Sequence, residues 1–313
     1  MKHIFENANF NFVKWRWHAI ALSWVLVLIG IGVAVARGGV PMGIDFSGGT
    51  AVVVKFDQPT HEDVVRKALD VVTSDKVVQR YGADADNSVL IRMPLGATPA
   101  EGNNLDAGVR EINDALTKAN IGHFAIVSTE VVGPVIGKDL QLKGIYATLA
   151  SLVGILFYIW LRFEWTFAVG AIVATFHDII VTLAMLVFFN YDMSLNVIAA
   201  ILTIVGYSVN DTIVIFDRIR ENRRNKRRES LEKIVNDSVN QTLSRTIITS
   251  GTTLLTVLSL YLFGGEVLKG FAFTMIVGIV TGTYSSMYIA ASIAIILSGK
   301  QAKARSTVAS KAS

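Results

Sequence analysis

The chain contains no cysteine, so disulfide frameworks, thiolate metal sites and cysteine nucleophiles are excluded, although nothing follows about redox compartment. Charge is scarce as well. Only 17% of the 313 residues are charged, 52% are hydrophobic and mean hydropathy is +0.48, which excludes an ordinary soluble globular domain. All five prolines, Pro41, Pro59, Pro94, Pro99 and Pro134, fall in one insertion, so no apolar run carries a proline kink and the helices are expected to move as fairly rigid rods. No GxxxxGK[ST] pattern occurs, and Gly48-Gly49 precedes a strand rather than a helix, which favours a tight backbone turn over a phosphate loop. His61 and His123 lack a second histidine or cysteine at ligand spacing, so no metal site and no cofactor is expected.

Apolar runs long enough to cross a bilayer occur at 18–36, 140–160, 165–189, 195–216, 243–263 and 271–297, and they predict a polytopic α-helical membrane protein with six spans. The first run ends in Ala34-Val35-Ala36, similar to a signal-peptidase site, but it is longer than a signal core and carries Trp15 and Trp17 at its entrance, as an uncleaved anchor does. Lysine and arginine number three in the N-terminal tail (1–17), one in the turn at Arg162, nine from Arg218 to Arg245 and four in the C-terminal tail (298–313). The opposite short loops hold only Lys269. The positive-inside rule therefore predicts cytoplasmic termini and an external insertion at 37–139. Basic residues beside apolar spans point to membrane orientation and lipid phosphates rather than nucleic acid.

Within 37–139 the composition turns soluble. Strands are predicted at 48–56, 76–81, 88–93 and 123–132, and helices at 60–72, capped by Thr60, and 105–119, with a hairpin turn at 84–87. The order strand, helix, strand, strand, helix, strand is that of a ferredoxin-like α+β domain. The remainder, 140–297, reads as a five-helix bundle interrupted at 217–242 by a basic loop and an amphipathic helix, with Leu231, Ile234, Val235, Val239 and Leu243 on one face, expected to lie along the membrane interface.

Ionisable residues inside a bilayer are costly, which makes a functional or partnered role their default reading. His177 and Asp178 fall mid-way along the third span, Asp211 in the fourth and Arg245 at the start of the fifth. Tyr207, Ser208 and Asn210 accompany the second aspartate, and a hydroxyl stripe including Thr249 follows the arginine. An Asp211 to Arg245 contact is possible if the fourth and fifth spans pack together. It reads either as a static ion pair or as a switchable proton site, with Na⁺ an open alternative to H⁺. Helical rise of about 1.5 Å per residue puts Asp178 roughly 20 Å and Asp211 roughly 9 Å from the basic side, too far apart for an intramembrane aspartyl protease. A self-contained small-molecule or lipid exporter is a further alternative.

GIDFSGGT (43–50), VGPVIGKDL (132–140), RFEW (162–165), HDII (177–180), GYSVNDTIVIFDRIREN (206–222), QTLSRTIITSGTTL (241–254) and GTYSSMYIA (282–290) together resemble the SecF side of the SecD/SecF family of protein-export membrane proteins. The resemblance implies half of a twelve-span assembly similar to resistance-nodulation-division transporters, paired with SecD in a bacterial cytoplasmic membrane beside the Sec translocon channel. It further implies that proton flow moves the external domains and draws unfolded exported polypeptide outward. The functional aspartate of the family's fourth SecF span and arginine of its fifth match Asp211 and Arg245. For His177 and Asp178 the resemblance implies motif membership alone, and a proton-path role there is an expectation of this reading. No enzymatic role is expected.

Overall fold

A computed structural model describes residues 9–72, 76–82, 86–93, 107–226 and 228–299. Pro94, Pro99, Arg227, residues 1–8 of the N-terminal tail, most of the C-terminal tail and residues 84–85 of the expected hairpin turn lie outside the described residues. In chain order the elements are α1 (Arg16–Ala36), α2 (Ile44–Ser47), β1 (Gly49–Phe56), α3 (Glu62–Ala68), β2 (Val77–Tyr81), β3 (Ser88–Met93), α4 (Ala107–Lys118) and β4 (Phe124–Val132). The long helices α5 (Pro134–Arg162), α6 (Trp165–Phe188), α7 (Leu195–Asn225), α8 (Leu231–Phe263) and α9 (Glu266–Ser285) follow. Six helices, α1 and α5 to α9, are long and apolar enough to cross a membrane, the last continuing to Gly299.

The four strands form one antiparallel sheet in the order β2-β3-β1-β4, the ferredoxin-like arrangement that the element order predicts. Side chains alternate between its faces. Val52, Val54, Val89 and Ile91 pack on one face against Val65, Leu69, Ile112 and Leu116 from the helices. The other face, with Ala51, Val53, Leu90 and Arg92, fronts a cavity of about 660 Å³ whose far wall is the α6–α7 loop and the start of α9. His61, rather than Thr60, caps α3, accepting the Asp63 N–H at 3.5 Å, while Thr60 Oγ1 turns back to the Gln58 carbonyl.

Two other expectations need correction. The amphipathic stretch 231–243 is no separate interfacial helix: α8 runs unbroken from Leu231, capped by Ser230, and α7 likewise extends to Asn225. The stripe of Ile234, Val235 and Val239 is buried against Ile215, Phe216 and Ile219 of α7 rather than laid on lipid. An apolar stripe needs a hydrophobic surface, and periodicity cannot say whether that surface is membrane or protein. Likewise α9 is no uniform rod, because a π-helical turn occupies Ser286–Ala290 without any proline.

Lipid is as apolar as leucine, so span packing rests on close contact at small residues. A Cβ on Gly278 would fall 2.2 Å from Ile204 Cδ1, and one on Gly30 would fall 2.1 Å from Ala184 Cβ. These positions hold α9 against α7 and α1 against α6. Ion pairs from Arg162 to Asp217 at 3.1 Å and from Arg223 to Glu164 at 2.9 Å align the α5–α6 turn with the far part of α7.

Candidate functional site

The sequence-marked charges converge where α6, α7, α8 and α9 meet. Asp178, on α6 and 1% exposed, accepts hydrogen bonds from Ser208 Oγ of α7 at 2.5 Å and from Ser285 Oγ of α9 at 2.7 Å. His177 Nδ1 lies 2.9 Å from its other oxygen. One carboxylate thus ties three helices together, with two serine donors on one oxygen and the His177 ring against the other. Buried charge is tolerable only with such compensation.

Asp211 is served differently. It is 3% exposed, and among the described residues its side chain has one hydrogen bond, from Ser250 Oγ of α8 at a long 3.4 Å. Ser250 is in turn 2.7 Å from Thr283 Oγ1 of α9. Arg245 is near enough to act on Asp211 electrostatically yet forms no ion pair with it among the described residues. Arg245 is exposed on the surface of the bundle, as are Asn210 on α7 and Thr249 on α8. A cation and an amide on the uncovered flank of membrane-crossing helices are stable only against another polar surface. Three buried polar atoms, Tyr207 Oη, Thr246 Oγ1 and His177 Nε2, have no hydrogen-bond partner among the described residues. They lie on α7, α8 and α6 respectively, the helices that carry Asp211, Ser250 and Asp178.

The helical-rise comparison misplaced the aspartates. Asp178 is level with Ser208, which stands three residues, or about 4.5 Å of rise, from Asp211. The estimate placed the end of α7 at Asp217, whereas Glu164 at the start of α6 pairs with Arg223, six residues further along α7. The carboxylates still do not share a hydrogen bond, each being met by its own serine, so the geometry of an aspartyl dyad is absent among the described residues. Thr283 and Ser285 were not singled out from the sequence. Their signal is present in the hydroxyl-rich run GTYSSMYIA, but only α9 packing reveals which hydroxyls face the carboxylates.

Comparison with known proteins gives a consistent outcome. Residues 111–300 match the family model described as Protein export membrane protein SecD/SecF, C-terminal, and residues 33–60 match the SecD/SecF GG Motif. The chain is 42% identical to the Protein translocase subunit SecF of Rhodothermus marinus, over 96% of this chain and 97% of that protein. It is 41% identical to that of Escherichia coli O157:H7, over 84% and 80%. Among solved structures it is similar to SecDF, a translocon-associated membrane protein from Thermus thermophilus, with TM-score 0.82 and 34% identity over 94% of this chain. SecDF in its super-membrane-facing form gives TM-score 0.69 at the same identity. The chain spans about two fifths of those two solved chains, 39% and 40%.

Proposed function

Since the chain belongs to the SecD/SecF family of protein-export membrane proteins, on its SecF side, we propose that it is the SecF half of a SecD-paired assembly that uses a proton gradient to help export unfolded polypeptide beside the Sec translocon channel. The assembly sits in a bacterial cytoplasmic membrane in this reading, and the distribution of lysine and arginine supports an orientation with the ferredoxin-like domain outside and both chain ends inside. The chain performs no covalent chemistry of its own in this reading.

The observation that carries it is the contrast between the two acids. Asp178 is held by two serine donors and lies against the His177 ring, whereas Asp211 has one long hydrogen bond and an exposed cation nearby. A buried carboxylate so weakly served changes ionisation at little cost to its surroundings, and protonation cancels its attraction to Arg245. Exposure of Arg245, Asn210 and Thr249 supports a partner half covering that flank, with SecD as its occupant. His177 and Asp178, reached through Ser208, form the inner end of a proton path in this reading, and Tyr207 lines it. Movement of one charge across 100 mV is worth about 2.3 kcal/mol, enough to bias a two-state packing arrangement.

The test is export of a preprotein into inverted membrane vesicles carrying this chain with SecD. Asp211→Asn is expected to reduce export to the level seen without a proton gradient while SecD still co-purifies. Full proton-stimulated export by that variant would end this reading.

A further inference from the structure

The segment between α1 and β1 is joined to the loop that starts α7 by contacts the proton path does not use. Gly43 N–H donates to the Met193 carbonyl and Met193 N–H to the Pro41 carbonyl, both at 2.8 Å, forming an isolated parallel bridge. A Cβ on Gly43 would stand 2.9 Å from the Met193 oxygen, so this approach requires glycine. The Asp45 carboxylate accepts the Leu195 N–H, the first of α7, at 2.9 Å. That N–H is one of the helix's orphan donors, and a negative charge there complements the helix dipole. From the sheet, Arg92 of β3 makes an ion pair with Asp192 in the same loop, the two side chains being only 12% and 20% exposed.

These contacts meet at the end of the helix that carries the proton-coupling acid. α7 is continuous and proline-free from Leu195 to Asn225. Asp211 is 16 residues from its start, a lever of roughly 24 Å. Arg92 stands opposite Ala51 in the β1–β3 register, so a force on Asp192 enters the middle strands of the sheet rather than a loose edge. On the basis of the proton-coupled reading above, we propose that Asp45 and the Arg92–Asp192 pair are the joint that transmits tilting of α7 to the sheet domain, and so are positioning residues for export that touch neither proton nor polypeptide. Two attachments of different type, one on the connection before β1 and one on β3, hold the sheet in a fixed orientation on the end of α7. A single contact would act as a swivel.

The experiment compares proton entry and proton-stimulated export in vesicles carrying the full chain with SecD. Asp45→Ala and Arg92→Gln are expected to lower export about tenfold while proton entry and co-purification with SecD stay within about twofold. Asp45→Asn, which keeps an oxygen acceptor, should retain most export, and the exchange of Arg92→Asp with Asp192→Arg should recover at least half of what Arg92→Gln loses. Normal export in Asp45→Ala and Arg92→Gln would overturn the joint, as would parallel loss of export and proton entry. If those variants do not assemble, nitroxide labels at Lys55 and Asn196 decide the matter in the naturally cysteine-free chain. Their spacing should be the same with Asp211 intact and with Asp211→Asn, and a changed spacing would refute a rigid joint. Asp211→Asn is run alongside. Normal export by that variant refutes the proton reading and the joint with it, whereas normal export confined to the Asp45 and Arg92 variants refutes the joint alone.

Discussion

Ser208 and Asp211 stand one turn apart on α7 and are bound to different helices: Ser208 donates to Asp178 of α6, and Asp211 accepts from Ser250 of α8. A displacement of α7 therefore cannot alter one contact without loading the other. The Asp178 side is short and doubly held by serine, and the Asp211 side is long and singly held. On the proposed reading, the weaker side is where a change of charge would produce movement.

Replacing Ser208 with alanine should cost about 1.5–3 kcal/mol, since it removes a hydrogen bond to a buried charged group. Ser285→Ala should cost a similar amount. Because both hydroxyls serve one oxygen of Asp178, the double variant should depart from additivity. Thermal unfolding in detergent across this mutant cycle measures it, and strictly additive losses would argue that the serines do not share the carboxylate.

Arg245 should behave in the opposite manner. The residue is exposed and makes no ion pair with Asp211, so Arg245→Gln should change the stability of the isolated chain by no more than about 0.5 kcal/mol. Proton-stimulated export in the complex with SecD should nonetheless be lost. Stability and export falling together would make the residue a structural support.

A Cβ at Gly282 would lie 3.0 Å from Ser208 Cβ. Gly282→Val is therefore expected to push α9 from α7 at a cost of about 1–3 kcal/mol and to separate Ser208 from Asp178. Gly206→Ala, on the same α7 with nothing within 4 Å, is the control and should be nearly silent beyond helix propensity.

The loop aspartate gives a pH signature outside the spans. Burial raises the Asp192 carboxyl above its ordinary 3.8, a change that the charge and hydrogen bond of Arg92 only partly reverse. A carboxyl raised in the folded state contributes stability that is complete below 3.8 and is lost as pH climbs through the raised value. Wild type should thus gain stability on acidification through that window relative to Asp192→Asn. Melting temperatures of both from about pH 7 down to about pH 4 measure the difference, and parallel curves would count against it.

The six spans and the βαββαβ domain were legible because each rests on a local period: long apolar runs for the helices, and alternation between turn residues for the strands. Asp211, Arg245, His177 and Asp178 were legible for a related reason, since charge is conspicuous in an apolar run. The fate of 231–243 was not, because its stripe fits lipid and the face of α7 equally well. Nor was the π-helical turn in α9, which has no proline to announce it.

What the sequence determined by itself is a set of apolar lengths, a distribution of positive charge and a few acids placed inside apolar runs, all properties of residues near one another in the chain. Which serine meets which aspartate, and which flank is left bare, was decided only by the packing of α6 to α9. Ser285 and Asp178 are 107 residues apart, and their contact depends on close helix approach at residues too small to signal it.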